Sequence, residues 1–460
     1  MSDVQASRST SDFEYILDYS GFIGEEKDKY IKVFTAYAKT YKNFRRDKDA
    51  DKLRKWINNA YYDIYKKCFM RAVNDRSLPD TIRMFLNFGY MDGSFLTDEM
   101  VDGVYNVSNQ LAQICSEHVF TIFSWLKAIY RGDKEPSHNE FDLDFAGYLN
   151  EQYRNGEIKK SDIELILNRP EERAAFEIDN MFKTVNRLTY GSITSFNAIL
   201  TDLDLVNNPA KMLVTNGRCY KSIDMIRSID YSAFYRPLFS YPLKDNLQHE
   251  IIQKAFLPDI ILMPNVGNRG MMWQESASVH NDTPARFMLP IFTMSNMDDL
   301  MIDLIGRFRW EICRKIQGVR WNDIREHSLT SDYYDYLQFY KTNRELSAEA
   351  KEKVKQEITN ARNEYRDVFV ADYINWIKYE SMGGFRLNKY ARRIMFKYCP
   401  FSKDIREKLN DNPVYTDIIH KHEVLSAKTH KRIQGMYDIY TKNGGTITTD
   451  LKTHIDFYEL

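Results

Sequence analysis

From Glu25 onward, apolar side chains return at intervals of three and four. Tyr30, Val33, Phe34, Tyr37 and Tyr41 share one face, with Lys and Asp between them, which predicts an amphipathic helix. Leu53, Trp56, Ile57, Ala60, Tyr61, Ile64 and Cys68 repeat the pattern. Ser77-Leu78-Pro79-Asp80 starts another helix, with Ser77 as cap and Pro79 in the first turn. The apolar stretch from Val101 to Tyr130 predicts the central helix of a first domain. Pro170 opens a strong helix through Ile178, Met181, Phe182 and Val185, and Gly191 ends it, which places a domain boundary near Ser192. Helical spacing returns from Asp298 and breaks at Gly318. It runs again over Ser347 to Glu380, Lys389 to Lys397, and from Pro413 to Tyr440.

Between these halves the pattern changes. Asp259 to Met263 is a short apolar run between Pro258 and Pro264, which suits a buried strand. Leu213-Val214 and Phe287 to Phe292 read the same way, and the three could form a small sheet. The expected fold is mainly α: two multi-helix domains with a small mixed element near 213–292. Its parts are a disordered 1–12, a helical 13–191, a mixed 192–297, and a helical 298–460 containing a basic stretch, 385–432.

Composition narrows the function. Lys+Arg is 64 and Asp+Glu is 65, a net charge of −1, so no global field favours nucleic acid or anionic membrane. Five scattered cysteines form no CxxC pair, which argues for reduced thiols rather than a disulfide framework or a zinc site. No apolar run approaches the roughly 18 residues of a membrane span, and the N-terminus has no apolar signal core. The expectation is a soluble, cytoplasmic chain.

Candidate chemistry is sparse. The loop Gly267-Asn268-Arg269-Gly270 follows a predicted strand, and its N–H groups with Arg269 could hold an anion. Glu275, His280 and Arg286 crowd ionisable groups nearby, making 259–290 a candidate ligand site. Their spacing matches no metal motif, and neither metal nor cofactor is expected. His420, His422 and His430 are expected to be solvated. The stretch Phe385 to Arg432 holds 12 Lys/Arg and 5 Asp/Glu, a local net of +7. Arg392, Arg393 and Lys397 within it could meet RNA or an acidic protein. Tyr333, Tyr336, Phe339 and Tyr340 form an aromatic run suited to a protein partner or to self-association.

Two resemblances add expectations. Arg320 and His327, as Arg-x6-His, resemble the signature of HEPN-type ribonucleases, which would make them catalytic. The run RWNDIREHSLTSDYYDYLQFYKTNRELSAEAKEKVK, with WIKYESMGGFRLNKYARRIMFKYCPF, resembles an uncharacterised region of some bacterial proteins. Those proteins carry a cyclic-nucleotide-binding domain, and the region is C-terminal in them. The resemblance covers roughly Gly306 to Leu409 and implies a bacterial source. It assigns no functional residue, and the phosphate cassette of the nucleotide domain is missing. The favoured expectation is a non-enzymatic interaction or scaffolding protein, part of a signalling complex or larger assembly. A small-ligand-binding protein or enzyme using 259–290, and an RNA-binding or RNA-cleaving protein, are the alternatives.

Overall fold

A computed structural model of the chain describes residues 12–40, 48–89, 106–107, 110–188, 209–239, 251–274 and 284–460. The described residues fall into two compact units. One gathers residues from 1–218, 259–274 and 287–295, the other residues from 219–258, 275–286 and 296–460. The fold is mainly α with a small mixed element. The expected tail 1–12 lies almost wholly outside the described residues, as does the boundary near Ser192. The 192–297 segment is shared between the two units rather than forming one of its own.

The first unit is built on helices α1 (Gly24–Thr40), α2 (Lys48–Ala72), α3 (Asp80–Phe88), α4 (Ile122–Arg131) and α5 (Pro170–Leu188). Their apolar faces share one core, including Tyr61, Tyr65, Phe85, Trp125 and Phe182. Strands β1 (Val119–Thr121), β4 (Asp259–Val266), β5 (Met271–Gln274) and β6 (Arg286–Phe292) form a sheet in the order β1-β4-β6-β5. β1 runs parallel to β4, with Phe120 opposite Ile261. Leu213 bridges Phe292, so the segment expected to join this sheet does so by one antiparallel bridge. The stretch Val101 to Tyr130 is not one helix. Val-Phe-Thr at 119–121 extends into β1, and α4 starts only where the Thr121 hydroxyl accepts the Ser124 N–H at 3.2 Å.

The second unit contains α6 (Asn216–Ile229) from Cys219 onward, and a hairpin of β2 (Tyr235–Phe239) with β3 (Ile251–Ala255). The helices that follow include α7 (Met297–Gln317), α8 (Leu329–Phe339), α9 (Ala348–Asn360), α10 (Tyr365–Lys378), α11 (Lys389–Tyr398) and α12 (Thr416–Lys442). A shorter one, α13 (Thr449–Asp456), comes last. Asn296 caps α7, Asp298 and Asp299 complement its N-terminus, and Gly318 at φ +59° stops it. The expected helix from Ser347 to Glu380 is two helices, because Arg362 and Asn363 take left-handed backbone between them. Trp376 stacks on Phe401 at 4.0 Å in the core, and its indole N–H donates to the Cys399 carbonyl at 2.9 Å. The hairpin contributes Leu238 and Ile252 to a second cluster, with Ile433 and Tyr437 of α12 and Leu451 of α13.

Candidate functional site

Residues of the second unit line an open cavity of about 550 Å³. Helical spacing explains why two helices line it. α7 presents Phe308, Arg309, Ile312, Cys313, Ile316 and Gln317 from one face. α12 presents His422, Leu425, Ser426 and Thr429, at i, i+3, i+4 and i+7. The segment before β2 adds Tyr231 and Ser232, and the hairpin adds Tyr235 and Gln253. His327 and Ser328 arrive at the start of α8, and Lys397 and Tyr398 at the end of α11. Ser328 is fixed by a reciprocal cap with Ser331: the Ser331 N–H reaches the Ser328 hydroxyl at 3.3 Å, and the Ser328 N–H reaches the Ser331 hydroxyl at 2.9 Å. Phe457 and Tyr458 complete the wall after α13. Their segment is held by the Ser426 hydroxyl donating to the Tyr458 carbonyl at 2.8 Å and by His430 paired with Glu459 at 3.0 Å.

Behind the wall sits a buried ionic network. The Asp230 carboxylate is fully buried and faces Arg309 at 3.3 Å. It also accepts the Tyr373 hydroxyl at 2.9 Å and the Ser232 hydroxyl at 2.7 Å. Arg309 donates to the Ser232 hydroxyl at 3.2 Å and to the Tyr398 carbonyl. Burial alone would lower the Arg309 pKa; the Asp230 charge reverses that and raises it. Burial, and then Asp230, push the Tyr373 phenol well above its ordinary value. The Tyr398 hydroxyl lies 2.6 Å from both Asp332 and the His327 carbonyl, two acceptors for one proton. Its pKa is raised by burial and then by Asp332, so it stays a neutral donor. His422 is pulled down to about 4 by burial and then by Arg406, so its imidazole is neutral at pH 7. The arrangement offers neutral donors and acceptors, two cations and several aromatic faces. That inventory suits binding more readily than bond-breaking.

The residues singled out from the sequence scatter. Arg320 closes one 3-10 turn, Gly318–Arg320, while His327 caps another, Ile324–Glu326, so they share no helix. Arg320 projects to solvent and pairs with Glu326 at 3.4 Å; of the two, only His327 lines the cavity. The Arg-x6-His pair therefore does not lie on one helix. Arg269 is exposed in the loop from β4 to β5, and the Gly267 N–H is already donated to the Phe292 carbonyl at 3.0 Å. Arg286 is buried at the head of β6, a strand buried along its length, so it is not an exposed cleft residue. Glu275 and His280 lie outside the described residues.

Tyr333, Tyr336 and Tyr340 are buried, and only Phe339 is exposed. Tyr333 donates to Asp372, and Tyr336 stacks on Tyr390 at 5.4 Å, so the run is core rather than a partner face. Arg392 is buried against Glu380 at 2.6 Å, because Glu380 is itself buried and needs a counter-charge. Arg393 pairs with Glu345, and Lys397 with Asp332 at 2.7 Å. The cations expected to meet a partner thus already face carboxylates of their own chain. His422, expected to be solvated, lines the cavity.

Sequence reasoning passed over Asp230, Arg309, Tyr398 and the α12 face. One signal was present: His422, Leu425, Ser426 and Thr429 give a long helix a mixed face at core spacing. Among the described residues no cluster of three His, Cys, Asp or Glu could hold a metal ion. Among them too, no helix is long and apolar enough to cross a membrane.

The second unit is therefore a helical module around a polar-aromatic cavity. Residues 318–458 match the family model described as a domain of unknown function, DUF8509. The match is under a third of the chain, and the α7 face and the hairpin that wall the cavity precede it. No curated protein and no solved structure matches the chain.

Proposed function

We propose that the second unit binds a small molecule in this cavity, and that the protein works as a ligand-binding or ligand-responsive component. The observation that carries the reading is the cavity itself. Its volume of about 550 Å³ falls within the range of drug-sized ligand sites. Its wall also mixes aromatic faces with convergent polar groups. The reading moves the ligand-binding expectation from 259–290 to the second unit. It is preferred here to the scaffolding expectation, whose chosen aromatic face has three of its four residues buried.

A thermal-shift screen of a metabolite library on the full chain tests it. A ligand at 100 times its dissociation constant stabilises by about 2.7 kcal/mol. For a unit of this size that is a rise of roughly 5–10 °C. Thr429→Trp, which plugs the α12 side of the wall, should abolish the rise. Hits that shift both proteins equally, or a screen with no hits, would contradict the reading.

A further inference from the structure

The cavity wall carries cations and no carboxylate. Its cations are Arg309 and Lys397, the imidazoles of His327 and His422 also line it, and none of its lining residues is Asp or Glu. The carboxylates that meet its two permanent cations, Asp230 and Asp332, are not part of the lining.

Neither carboxylate saturates its cation. Asp230 accepts the Ser232 N–H and hydroxyl on one oxygen, and the Tyr373 hydroxyl on the other, where Arg309 approaches only to 3.3 Å. Arg309 Nε is a buried donor with no acceptor. Asp332 divides one oxygen between Lys397 at 2.7 Å and Tyr398 at 2.6 Å. The Lys397 side chain stays half exposed, and an ammonium has three donors. Both cations line the one cavity, and Arg309 donates to the carbonyl of Tyr398, which follows Lys397 in the chain. The half-exposed Lys397 ammonium on the cavity wall keeps donors that an anion in the cavity can take up.

Another part of the wall is aromatic. The Phe457 ring lies 4.7 Å from Tyr235 and 5.3 Å from Tyr231, and Tyr458 meets it edge-on at 5.1 Å. A flat apolar body packs well on such a corner. His422, neutral and influenced by Arg406, brings no negative charge to offset the cations.

We propose that the ligand is an aromatic organic anion, its ring on the Phe457–Tyr235 corner and its acidic group on Lys397 and Arg309. This rests on the ligand-binding reading above. The test is isothermal titration of the full chain with 2-naphthoate and its neutral counterpart 2-naphthamide. The acid should bind about tenfold more tightly, as a charge-assisted contact requires. Lys397→Gln should erase the preference and Lys397→Arg should restore it. Gln317→Glu puts a carboxylate on the wall without touching the Lys397–Asp332 pair. It should weaken naphthoate about tenfold relative to naphthamide, and serve if a Lys397 variant fails to fold. Equal binding of acid and amide, both lost in Thr429→Trp, would overturn the anion and leave the cavity reading standing. Binding of neither probe at millimolar concentration would overturn both.

Discussion

Arg392→Ala is the sharpest test of how the basic stretch is used. The Arg392 guanidinium donates to Glu380 at 2.6 and 3.1 Å and to the Leu387 carbonyl at 2.7 Å. It also lies within 6 Å of the Phe385 and Tyr415 rings, at 5.8 and 5.6 Å. Removing one partner of a buried pair costs about 3–5 kcal/mol, because the other charge is stranded. Glu380 would keep three donors: the Arg386 and Leu387 N–H groups at 2.6 and 2.7 Å, and the Tyr415 hydroxyl. That support puts the expected loss at the lower end, about 3 kcal/mol. Arg393 next door pairs with Glu345 at the surface, so Arg393→Ala should cost about 0.5 kcal/mol. Urea unfolding followed by tryptophan fluorescence separates the two. With a slope of about 2 kcal/mol per M, Arg392→Ala should lower the midpoint by roughly 1.5 M and Arg393→Ala by roughly 0.25 M. Hydrogen exchange should show the lost protection in α11 first. Equal, small shifts would refute the structural role, as would an Arg392→Ala protein of unchanged stability that loses affinity for a polyanion.

Three further outcomes follow from buried polar groups. Tyr333→Phe removes the hydroxyl donated to Asp372, whose carboxyl is already raised to about 7 by burial and then by Glu357. The carboxyl should titrate still higher by NMR and stability should fall by about 1–3 kcal/mol, while a change in oligomeric mass alone would contradict the core assignment. His454 accepts the Gln253 N–H at 2.9 Å and is pulled down to about 4, by burial and then by Arg432. The unfolded chain therefore takes up this proton near pH 6.5 and the folded chain only near 4. Stability is whole above about pH 6.5 and drains as pH falls toward 4, by up to about 1.4 kcal/mol per pH unit. His454→Gln should remove that part of the slope, and an unchanged slope would show that His454 does not contribute. In the first unit, buried Glu177 accepts the Trp125 indole at 2.6 Å and the Ser137 N–H and hydroxyl at 2.7 and 2.9 Å. Glu177→Gln should cost about 1–3 kcal/mol in urea and alter the Trp125 emission, and a neutral result would remove this lock from the account.

How far the sequence reveals this depends on the range of each interaction. Local signals read well. Asp259 to Met263 and Phe287 to Phe292 fall in strands, Gly318 ends a helix, and the fold is mainly α. Three-residue β1 is hidden because Val119 to Thr121 sits inside a longer apolar run that also fits a helix. Helical spacing marked Tyr333, Tyr336 and Tyr340 as one face but could not say what covers it. The cover comes from Phe369 and Asp372 of α10, from Asn388 that caps α11 and from Tyr390 within it, dozens of residues away. Charge counting over 385–432 missed this for the same reason, since Glu380, Glu345 and Asp332, which pair with Arg392, Arg393 and Lys397, lie outside the window. The cavity draws its wall from Tyr231 to Tyr458, so no local motif could announce it.

The most direct measurement is a crystal structure of the full chain soaked with 2-naphthoate. The account predicts density for the ring against Phe457 and Tyr235 and for the carboxylate within hydrogen-bond reach of Lys397. An empty cavity, with naphthoate absent or bound elsewhere, would contradict it.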